Sequence, residues 1–242
     1  MLIAIFSDIH SNLEAFEVFL NQTYGRVDIY ICLGDVIGYG PDPSACLGIL
    51  KKLCGTEYVL RGNHERAIID KRELKHFNYV AAEAAMWTIL NLSQNEIEYI
   101  KEWSDVIEFD DFTFVHGSIL DPDEYIVSKN RAIANINKLK QLNKKILFFG
   151  HTHLPIIWTE EGAYHPENNE KIELNKDKTL LINPGSIGQP RDNNPLGSYI
   201  IFDTKEYSVT FKRFEYDIDK TYRKIIDRGL PEYLGKRLFY GI

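Results

Sequence analysis

Short apolar runs, each ending in polar residues, recur along the first two thirds of the chain. Ile, Leu, Val and Phe dominate these runs, which is typical of buried β-strands. The runs cover residues 2–6, 29–33, 56–60, 112–115 and 145–149. Asp, Asn or His follows each run within a few residues. Because ligands of α/β sheets bind outside the carboxyl ends of the strands, the pattern predicts five strands that deliver polar side chains to one rim.

The polar residues at these ends include His151 and His153, which directly follow an apolar run and cannot both face a core. The full set is Asp8, His10, Asp35, Asn63, His64, His116, His151 and His153. Burying so many carboxylate and imidazole donors together is costly without a cation, whereas two divalent metal ions bridged by a carboxylate would use them. We expect Asp35 to be the bridge, because the preceding Gly34 lets the backbone approach closely.

Helical patterns separate the first three runs. A helix is predicted at 13–21, with Ser11 and Glu14 as a capping box. A second helix is predicted to begin at Pro43, behind an Asp42 cap. This alternation of strand and helix predicts a parallel sheet in the N-terminal part of the chain.

Residues 67–103 have a helical pattern with a further capping box at Ser93 and Glu96. One interpretation makes this helical insert a lid that selects the substrate. The alternative, which we prefer, is that the insert packs around four large side chains. These are Phe77, Tyr79, Met86 and Trp87. His76 lies in the insert without a motif, so we expect an ordinary structural or surface histidine there.

The second half of the chain predicts more strands. A hairpin is expected at 106–109 and 112–115, followed by a basic amphipathic helix at 128–142. Mostly antiparallel strands are expected at 154–158, 179–182, 198–203 and 207–214. Asp217 or Asp219 is predicted to cap a last helix that ends near Gly229. The fold class is therefore α/β (α+β), with two mixed β-sheets and helices outside them.

Length, charge and cysteine usage narrow the class of protein. At 242 residues with 44% apolar content, the chain can bury a substantial core as one domain covering 1–242. A net charge of −7 argues against a stable nucleic-acid complex, but not against a nucleotide as a small substrate. No leader-like or membrane-length apolar run is present, and Cys32, Cys46 and Cys54 lack a metal-binding spacing. We therefore expect a cytoplasmic protein with reduced thiols; the sequence does not determine its oligomeric state.

Five short motifs occur in one order along the chain, and each follows a predicted strand. They are Asp8-x-His10, Gly34-Asp35, Gly62-Asn63-His64-Glu65, His116-Gly117 and Gly150-His151-x-His153. Together they resemble the signature of the calcineurin-like metallophosphoesterases, over about residues 1–190. The resemblance implies a four-layer αββα sandwich with a dinuclear metal centre between the loops.

The resemblance also implies a role for each motif residue. One metal ion would be held by Asp8, His10 and His153, the other by Asn63, His116 and His151, and Asp35 would bind both. His64 corresponds to the catalytic histidine of the family. The implied reaction is hydrolysis of a phosphate ester by a metal-bridging hydroxide, with His64 acting on the leaving group. Mn²⁺ is the metal we expect, and Fe, Ni²⁺, Co²⁺ or Zn²⁺ would accept the same donors.

Two further segments, 38–43 and 183–192, resemble a prokaryotic phosphodiesterase branch, part of which is related to dinucleoside tetraphosphate hydrolases. They imply phosphodiester or dinucleoside polyphosphate substrates. Phosphomonoester hydrolysis, including that of a protein phosphatase, is the alternative. A binding scaffold with a decayed metal centre is a third hypothesis, and the presence of all seven ligand positions and His64 argues against it.

Tyr39 and Arg191 lie in these two segments and would contact the substrate, one as an aromatic face and the other as a planar cation. The alternative is that Tyr39 packs against the second helix and that Arg191 braces its loop through a structural ion pair with Asp192 or a nearby acid. The serine/threonine phosphatases of the superfamily carry a phosphate-binding arginine shortly after Gly-Asp, and this chain has none there. We expect Arg61 to be structural.

Overall fold

The computed structural model describes residues 1–242 and contains two mixed β-sheets that pack face to face. The strands are β1 Leu2–Phe6, β2 Ile29–Cys32, β3 Val106–Phe109, β4 Phe112–Val115, β5 Ile146–Phe149, β6 Pro155–Trp158, β7 Ala163–Tyr164, β8 Lys171–Glu173, β9 Leu180–Pro184, β10 Gly197–Asp203 and β11 Ser208–Phe214. The first sheet has the order β2-β1-β10-β11-β8, and the second has the order β3-β4-β5-β9-β6-β7.

Helices cover the outer face of each sheet, which gives the predicted αββα layers. The helices are α1 Leu13–Thr23, α2 Pro43–Leu53, α3 Asn63–Ile69, α4 Tyr79–Asn91, α5 Gln94–Lys101, α6 Lys129–Gln141, α7 Ile218–Asp227 and α8 Glu232–Lys236. None of them has the length and apolar character needed to cross a membrane. The predicted fold class is confirmed.

The central strands are apolar on both faces because each face meets a different layer. In β1, Ile3 and Ile5 contact the second sheet, whereas Ala4 and Phe6 face α1 and α2. In β5 the same alternation places Phe148 between the two sheets, whereas the neighbouring Phe149 packs against α6. Since successive strand residues point to opposite faces, these doubly covered strands have continuous rather than alternating apolar sequences. This explains why the runs in the sequence located the strands.

Four of the five predicted strand runs form strands, and the prediction at 56–60 is wrong. Thr56–Tyr58 is a 3-10 turn, and only isolated parallel bridges follow it, from Cys32 to Val59 and from Leu60 to Ser104. The polar Glu57 interrupts the apolar run, so only its last two residues are buried beside β2. This short extended segment still directs α3 towards the rim.

The first helix is capped differently from the prediction. Asn12, not Ser11, is the N-cap, and its side chain accepts a hydrogen bond from the Ala15 amide at 3.2 Å. Ser11 has a φ of 54° and belongs to the preceding loop. Glu14 therefore does not close a capping box, and its carboxylate instead pairs with Lys224 of α7 at 2.6 Å.

The other predicted caps have mixed outcomes. Asp42 occupies the N-cap position of α2, and Pro43 is the first residue of the helix. The Asp42 side chain makes no capping hydrogen bond and forms an ion pair with Lys224 instead. The box of Ser93 and Glu96 is confirmed. Asp217 caps α7 by accepting from the Lys220 amide, which decides between the two candidates for the last helix.

The packing predicted for the helical insert is only partly correct. Tyr79 is 81% exposed and Met86 is 37% exposed, so neither belongs to the core. The buried face of α4 consists of small residues, namely Ala81, Ala84, Ala85 and Thr88. Their spacing of three and four residues is that of one helix face. Trp87 does pack, against the C-terminal helices, and donates to the Arg228 carbonyl at 3.1 Å.

Candidate metal centre

Seven predicted ligands meet where the two sheets present their strand ends. Asp8 and His10 follow β1, Asp35 follows β2, His116 follows β4, and His151 and His153 follow β5. Asn63 is the first residue of α3. All except the half-buried Asn63 are buried. Two groups of potential metal ligands arise from this arrangement, and Asp35 belongs to both.

The first group contains Asp8, His10, Asp35 and His153, whose ligand atoms all lie within 4.8 Å of one another. Nε2 of His153 is 3.1 Å from Oδ1 of Asp8 and 3.1 Å from Nε2 of His10. Nε2 of His10 is 3.7 Å from Oδ2 of Asp35. These nitrogens and oxygens therefore converge on one small volume.

The second group contains Asp35, His116 and His151, again within 4.8 Å. Nε2 of His116 is 3.3 Å from Oδ2 of Asp35 and 3.1 Å from Nδ1 of His151. The Oδ1 atom of Asn63 lies 3.3 Å from the same His116 nitrogen, so the amide joins this group. One carboxylate oxygen of Asp35 thus faces both groups.

Backbone carbonyls orient all four histidines of the two groups. Their partners are Ile37 for Nδ1 of His10, Leu33 for Nδ1 of His116, Gln189 for Nδ1 of His153 and Asp123 for Nε2 of His151, at distances of 2.5–3.2 Å. A carbonyl can only accept, so the nitrogen facing it carries the proton. In the neutral imidazole the other nitrogen presents its lone pair to the group, as ligation of a metal requires.

The backbone at the centre is held in an unusual conformation. Five of the seven residues have φ angles between 49° and 64°, and these are Asp8, His10, Asp35, His151 and His153. Side chains other than glycine rarely adopt this left-handed region, and such residues cluster at functional sites. The surrounding loops must supply the free energy that holds these residues in place.

Electrostatics at the centre favour ionised carboxylates and, with one exception, neutral imidazoles. Burial raises the pKa of Asp8 and Asp35, but the neighbouring histidines outweigh it and lower both below the usual range. Burial lowers the pKa of His151 to about 3. For His116 burial is opposed by the charge of Asp35, which raises its pKa to about 9.

Oδ1 of Asp8 is fully buried and has no hydrogen-bond donor. A buried carboxylate oxygen without a donor is costly unless a cation compensates for it. The orphaned oxygen, the inward-facing ring nitrogens and the lowered pKa values of His10, His151 and His153 all fit a divalent metal ion.

His64 lies beside the two groups without belonging to either. Its ring centroid is 4.5 Å from that of Tyr39 and 4.9 Å from those of His10 and Phe77, while its amide donates to Oδ1 of Asp35 at 3.0 Å. A Cβ atom on Gly38 would lie 2.1 Å from its Nδ1, so only glycine leaves room for the ring. Burial lowers the pKa of His64 to about 4.

The structure places Tyr39 and Arg191 together next to His64. The guanidinium carbon of Arg191 is 6.0 Å from the Tyr39 ring centroid, and one Nη donates to Oε1 of Gln189 at 2.9 Å. Asp192 pairs with Arg213, and the side-chain partners of Arg191 are the uncharged Gln189 and Tyr125, so the alternative ion pair of Arg191 is wrong. Tyr39 packs against His10 and His64 and against the apolar cluster formed by α4, α7 and α8. The alternative had placed Tyr39 against α2 instead.

Arg61 pairs with Asp105 at 2.7 Å, as expected of a structural arginine.

A cleft of about 400 Å³ opens beside the second group. Phe77 and His76 of the insert line one side, and Asp123 and Tyr125 of the loop after β4 line the other. The Tyr125 ring centroid is 4.0 Å from that of His151. Sequence reasoning missed Tyr125, because no motif marks its loop, and gave His76 no role at the site.

Glu65 is a second residue whose role the sequence did not reveal, although it ends the Gly-Asn-His-Glu motif. Its buried carboxylate accepts four backbone N–H groups. They belong to Asp35 (2.9 Å), Val36 (2.9 Å), Ile37 (3.2 Å) and Gly62 (2.7 Å). Burial, and then the charge of Asp35, raise the pKa of Glu65 to about 7, while the four donors favour the ionised form. Glu65 therefore fixes the two loops that carry Asp35 and Asn63.

Comparison with known proteins shows similarity that extends past the motifs. A family model described as the calcineurin-like phosphoesterase superfamily domain matches residues 1–207. An uncharacterized protein of Methanocaldococcus jannaschii is 37% identical over 99% of this chain and 98% of its own length. Phosphodiesterase YfcE of Escherichia coli is 24% identical over 84% of this chain and 88% of its own. The crystal structure of a metallophosphoesterase from Sphaerobacter thermophilus has a TM-score of 0.89 and 35% identity, with 100% of both chains covered.

We predict that Glu65→Gln destabilises the protein. An amide keeps one acceptor oxygen and directs an NH₂ group at two of the backbone donors, so buried N–H groups lose their partners. The free energy of unfolding, measured by urea denaturation, should fall by about 2–4 kcal/mol. Glu96→Gln, which alters the capping box of α5, is the control and should cost about 1 kcal/mol or less. Equal losses in the two variants would contradict the special role of Glu65.

Proposed function

The chain belongs to the calcineurin-like phosphoesterase superfamily and is a phosphoric ester hydrolase, and on that premise we propose that it hydrolyses phosphodiesters or dinucleoside polyphosphates at a dinuclear metal centre. The observation that carries the proposal is the pair of buried donor groups sharing Asp35. Two groups with one common carboxylate suit two ions better than one.

Each ion would have three ligands of its own and would share Asp35. The three are Asp8, His10 and His153 for one ion, and Asn63, His116 and His151 for the other. Imidazole, carboxylate and amide donors suit divalent transition metals; we expect Mn²⁺, and Fe, Ni²⁺, Co²⁺ or Zn²⁺ would accept the same set. Bound ions would supply Lewis-acid activation of water and offset charge on the phosphoryl oxygens.

His64 would act on the leaving group. Its amide is fixed by Asp35, and its ring is held by Tyr39 and Phe77, so its position relative to the centre is constrained. With a pKa of about 4 the ring is neutral at pH 7 in the free protein. A phosphoryl anion beside it would raise that pKa, which lets the imidazole hold the proton that the departing oxygen takes up.

Three observations support a diester over a monoester. Arg191 lies beside Tyr39 and forms no ion pair with an acidic side chain, so its guanidinium can bind a second phosphate group. The 400 Å³ cleft beside the second donor group leaves space for a second substituent on a phosphate bound at the centre. In addition, a relative over most of the chain is a phosphodiesterase.

We further propose that residues 1–242 act as one domain on small phosphate esters in the cytoplasm. The C-terminal helices pack on Ala84 of the insert and on Tyr39, which supports a single unit. All three cysteines are free, two of them buried, which suits a reducing compartment.

Steady-state kinetics on metal-reconstituted protein test the substrate class. We expect kcat/KM for bis(p-nitrophenyl) phosphate or diadenosine tetraphosphate to exceed that for p-nitrophenyl phosphate by at least about tenfold, a transition-state difference of about 1.4 kcal/mol. Arg191→Ala should lower kcat/KM more for the tetraphosphate than for the monoester. Much faster hydrolysis of simple monoesters would make the phosphomonoesterase alternative correct.

Metal content tests the dinuclear centre. Elemental analysis after reconstitution with Mn²⁺ should give two ions per chain, because each donor group can hold one. Asp35→Asn should lose both, since each ion loses a charged ligand. Asp105→Asn, which removes an exposed carboxylate paired with Arg61, is the matched control and should keep two. If Asp35→Asn retains both ions, the bridge is wrongly assigned.

His64→Ala should keep both ions, because His64 is outside the two donor groups. Its turnover should fall by roughly 10²–10⁴-fold if the ring is a general acid. The loss should be smaller for nitrophenyl esters than for alkyl esters, since a good leaving group needs less protonation. His165→Ala, at an exposed position far from the motifs in sequence, serves as the control. An equal loss on both kinds of ester points instead to phosphate positioning.

A further inference from the structure

The cleft beside the second donor group has two walls of different origin. One wall is the segment from Glu73 to Ala81 of the insert, and the other is the loop from Asp121 to Tyr125. Asn63 and His151 form the floor, so a group bound at the centre has this cleft next to it. The insert therefore forms one side of the cleft in addition to packing against the C-terminal helices.

Both walls are fixed to the rest of the site. Arg66 of α3 donates to the Pro122 carbonyl at 3.3 Å and pairs with the Asp123 carboxylate. The Asp123 carbonyl in turn lies 3.2 Å from Nε2 of His151. On the other side Ala84 of α4 packs against α7 and α8, and Nε1 of Trp87 donates to the Arg228 carbonyl at 3.1 Å. The cleft is thus preformed, as small-molecule sites usually are.

Each wall carries an aromatic ring at the end nearest the centre. Phe77 contacts His64 and Tyr125 contacts His151, with ring centroids 4.9 Å and 4.0 Å apart. Tyr125 is 39% exposed. A large aromatic side chain in a loop would be expected to pack against the core unless its position serves another purpose. Rings left accessible beside a polar centre are typical of sites that stack a planar group.

The charges of the cleft indicate which substituents a bound planar group would have. Arg66 and Asp123 line the cleft as an ion pair, whereas the acidic Glu73 and Asp121 have no cationic partner. They would repel a phosphate, whereas carboxylates accept hydrogen bonds from hydroxyl groups. Arg191 is not among the residues that line this cleft. The cleft thus suits a neutral, hydroxyl-bearing group attached to the phosphate.

We propose that this cleft binds the nucleoside of a nucleotide substrate, with its base against Phe77 and Tyr125 and its ribose hydroxyls near Glu73 and Asp121. The inference deepens the proposed function and rests on it in one respect, namely that the attached phosphate lies at the metal centre. Phe77 and Tyr125 then determine which substrates are preferred, and His64 and the metal ligands determine the reaction.

Calorimetric titration of the Mn²⁺-reconstituted protein with adenosine monophosphate and with ribose 5-phosphate tests the proposal. The two ligands share the sugar and the phosphate, so the ratio of their affinities isolates the base. We expect adenosine monophosphate to bind roughly 10–100-fold more tightly, the range that stacking of one base provides. A ratio near one in the wild-type protein overturns the proposal.

Variants assign the effect to the two rings. Tyr125→Leu and Phe77→Leu should each reduce the affinity ratio by at least about fivefold, because an aliphatic side chain cannot stack as a ring does. Tyr125→Phe should retain the affinity ratio, although it loses the hydroxyl group that accepts a hydrogen bond from Arg191 at 3.4 Å. Tyr164→Leu, at an exposed tyrosine on β7, is the matched control and should leave the ratio unchanged. An unchanged ratio in both leucine variants refutes the assignment, and two positions guard against one variant failing to fold.

The titration tests the nucleoside site and the kinetic assay tests the phosphodiesterase activity, so either proposal can be refuted without the other. A protein that shows ring-dependent binding of adenosine monophosphate but hydrolyses no diester keeps the nucleoside site and loses the proposed phosphodiesterase activity. A protein that hydrolyses diesters with an affinity ratio near one keeps the activity and loses the nucleoside site.

Discussion

The carboxylate of Asp35 is the group on which the site depends. One oxygen lies 3.7 Å from Nε2 of His10 and 3.3 Å from Nε2 of His116, and the other accepts the amide of His64. The position of this single side chain therefore relates both donor groups and the proposed catalytic histidine to one another. A buried carboxylate in such a position is stable only if positive charge or N–H donors surround it. The architecture of the neighbouring loops supplies the donors.

Those loops adopt costly backbone conformations that the rest of the fold stabilises. Asp8, Asp35 and His151 have left-handed φ angles. Glu65 compensates by accepting hydrogen bonds from four backbone N–H groups in the loops after β2 and before α3. Because β1 and β5 are covered on both faces, the strands that end at the centre cannot shift without opening the core. Strain at the site is thus offset by hydrogen bonds and by packing away from it.

The proposed reaction and the proposed substrate preference depend on different parts of the molecule. Six of the seven proposed ligands follow strand ends, which two layers of core hold rigidly, and Asn63 begins α3. The cleft is lined instead by the helical insert and by the loop around Tyr125, which are attached to the centre through Phe77, Arg66 and the Asp123 carbonyl. Changes in these outer segments can alter the bound group while the donor geometry is retained.

The sequence by itself determined the sheets and the polar residues at their ends, because doubly buried strands are continuous apolar runs and because Asp, Asn and His rarely follow such runs without a function. It misplaced the strand at 56–60, where the polar Glu57 interrupts the apolar run, and the cap at Ser11, which belongs to the preceding loop. Only the tertiary structure determined that one oxygen of Asp35 faces both groups, that Glu65 joins two loops, and that Tyr125 meets His151. These are contacts between segments far apart in the chain, and no local periodicity encodes the distance between them.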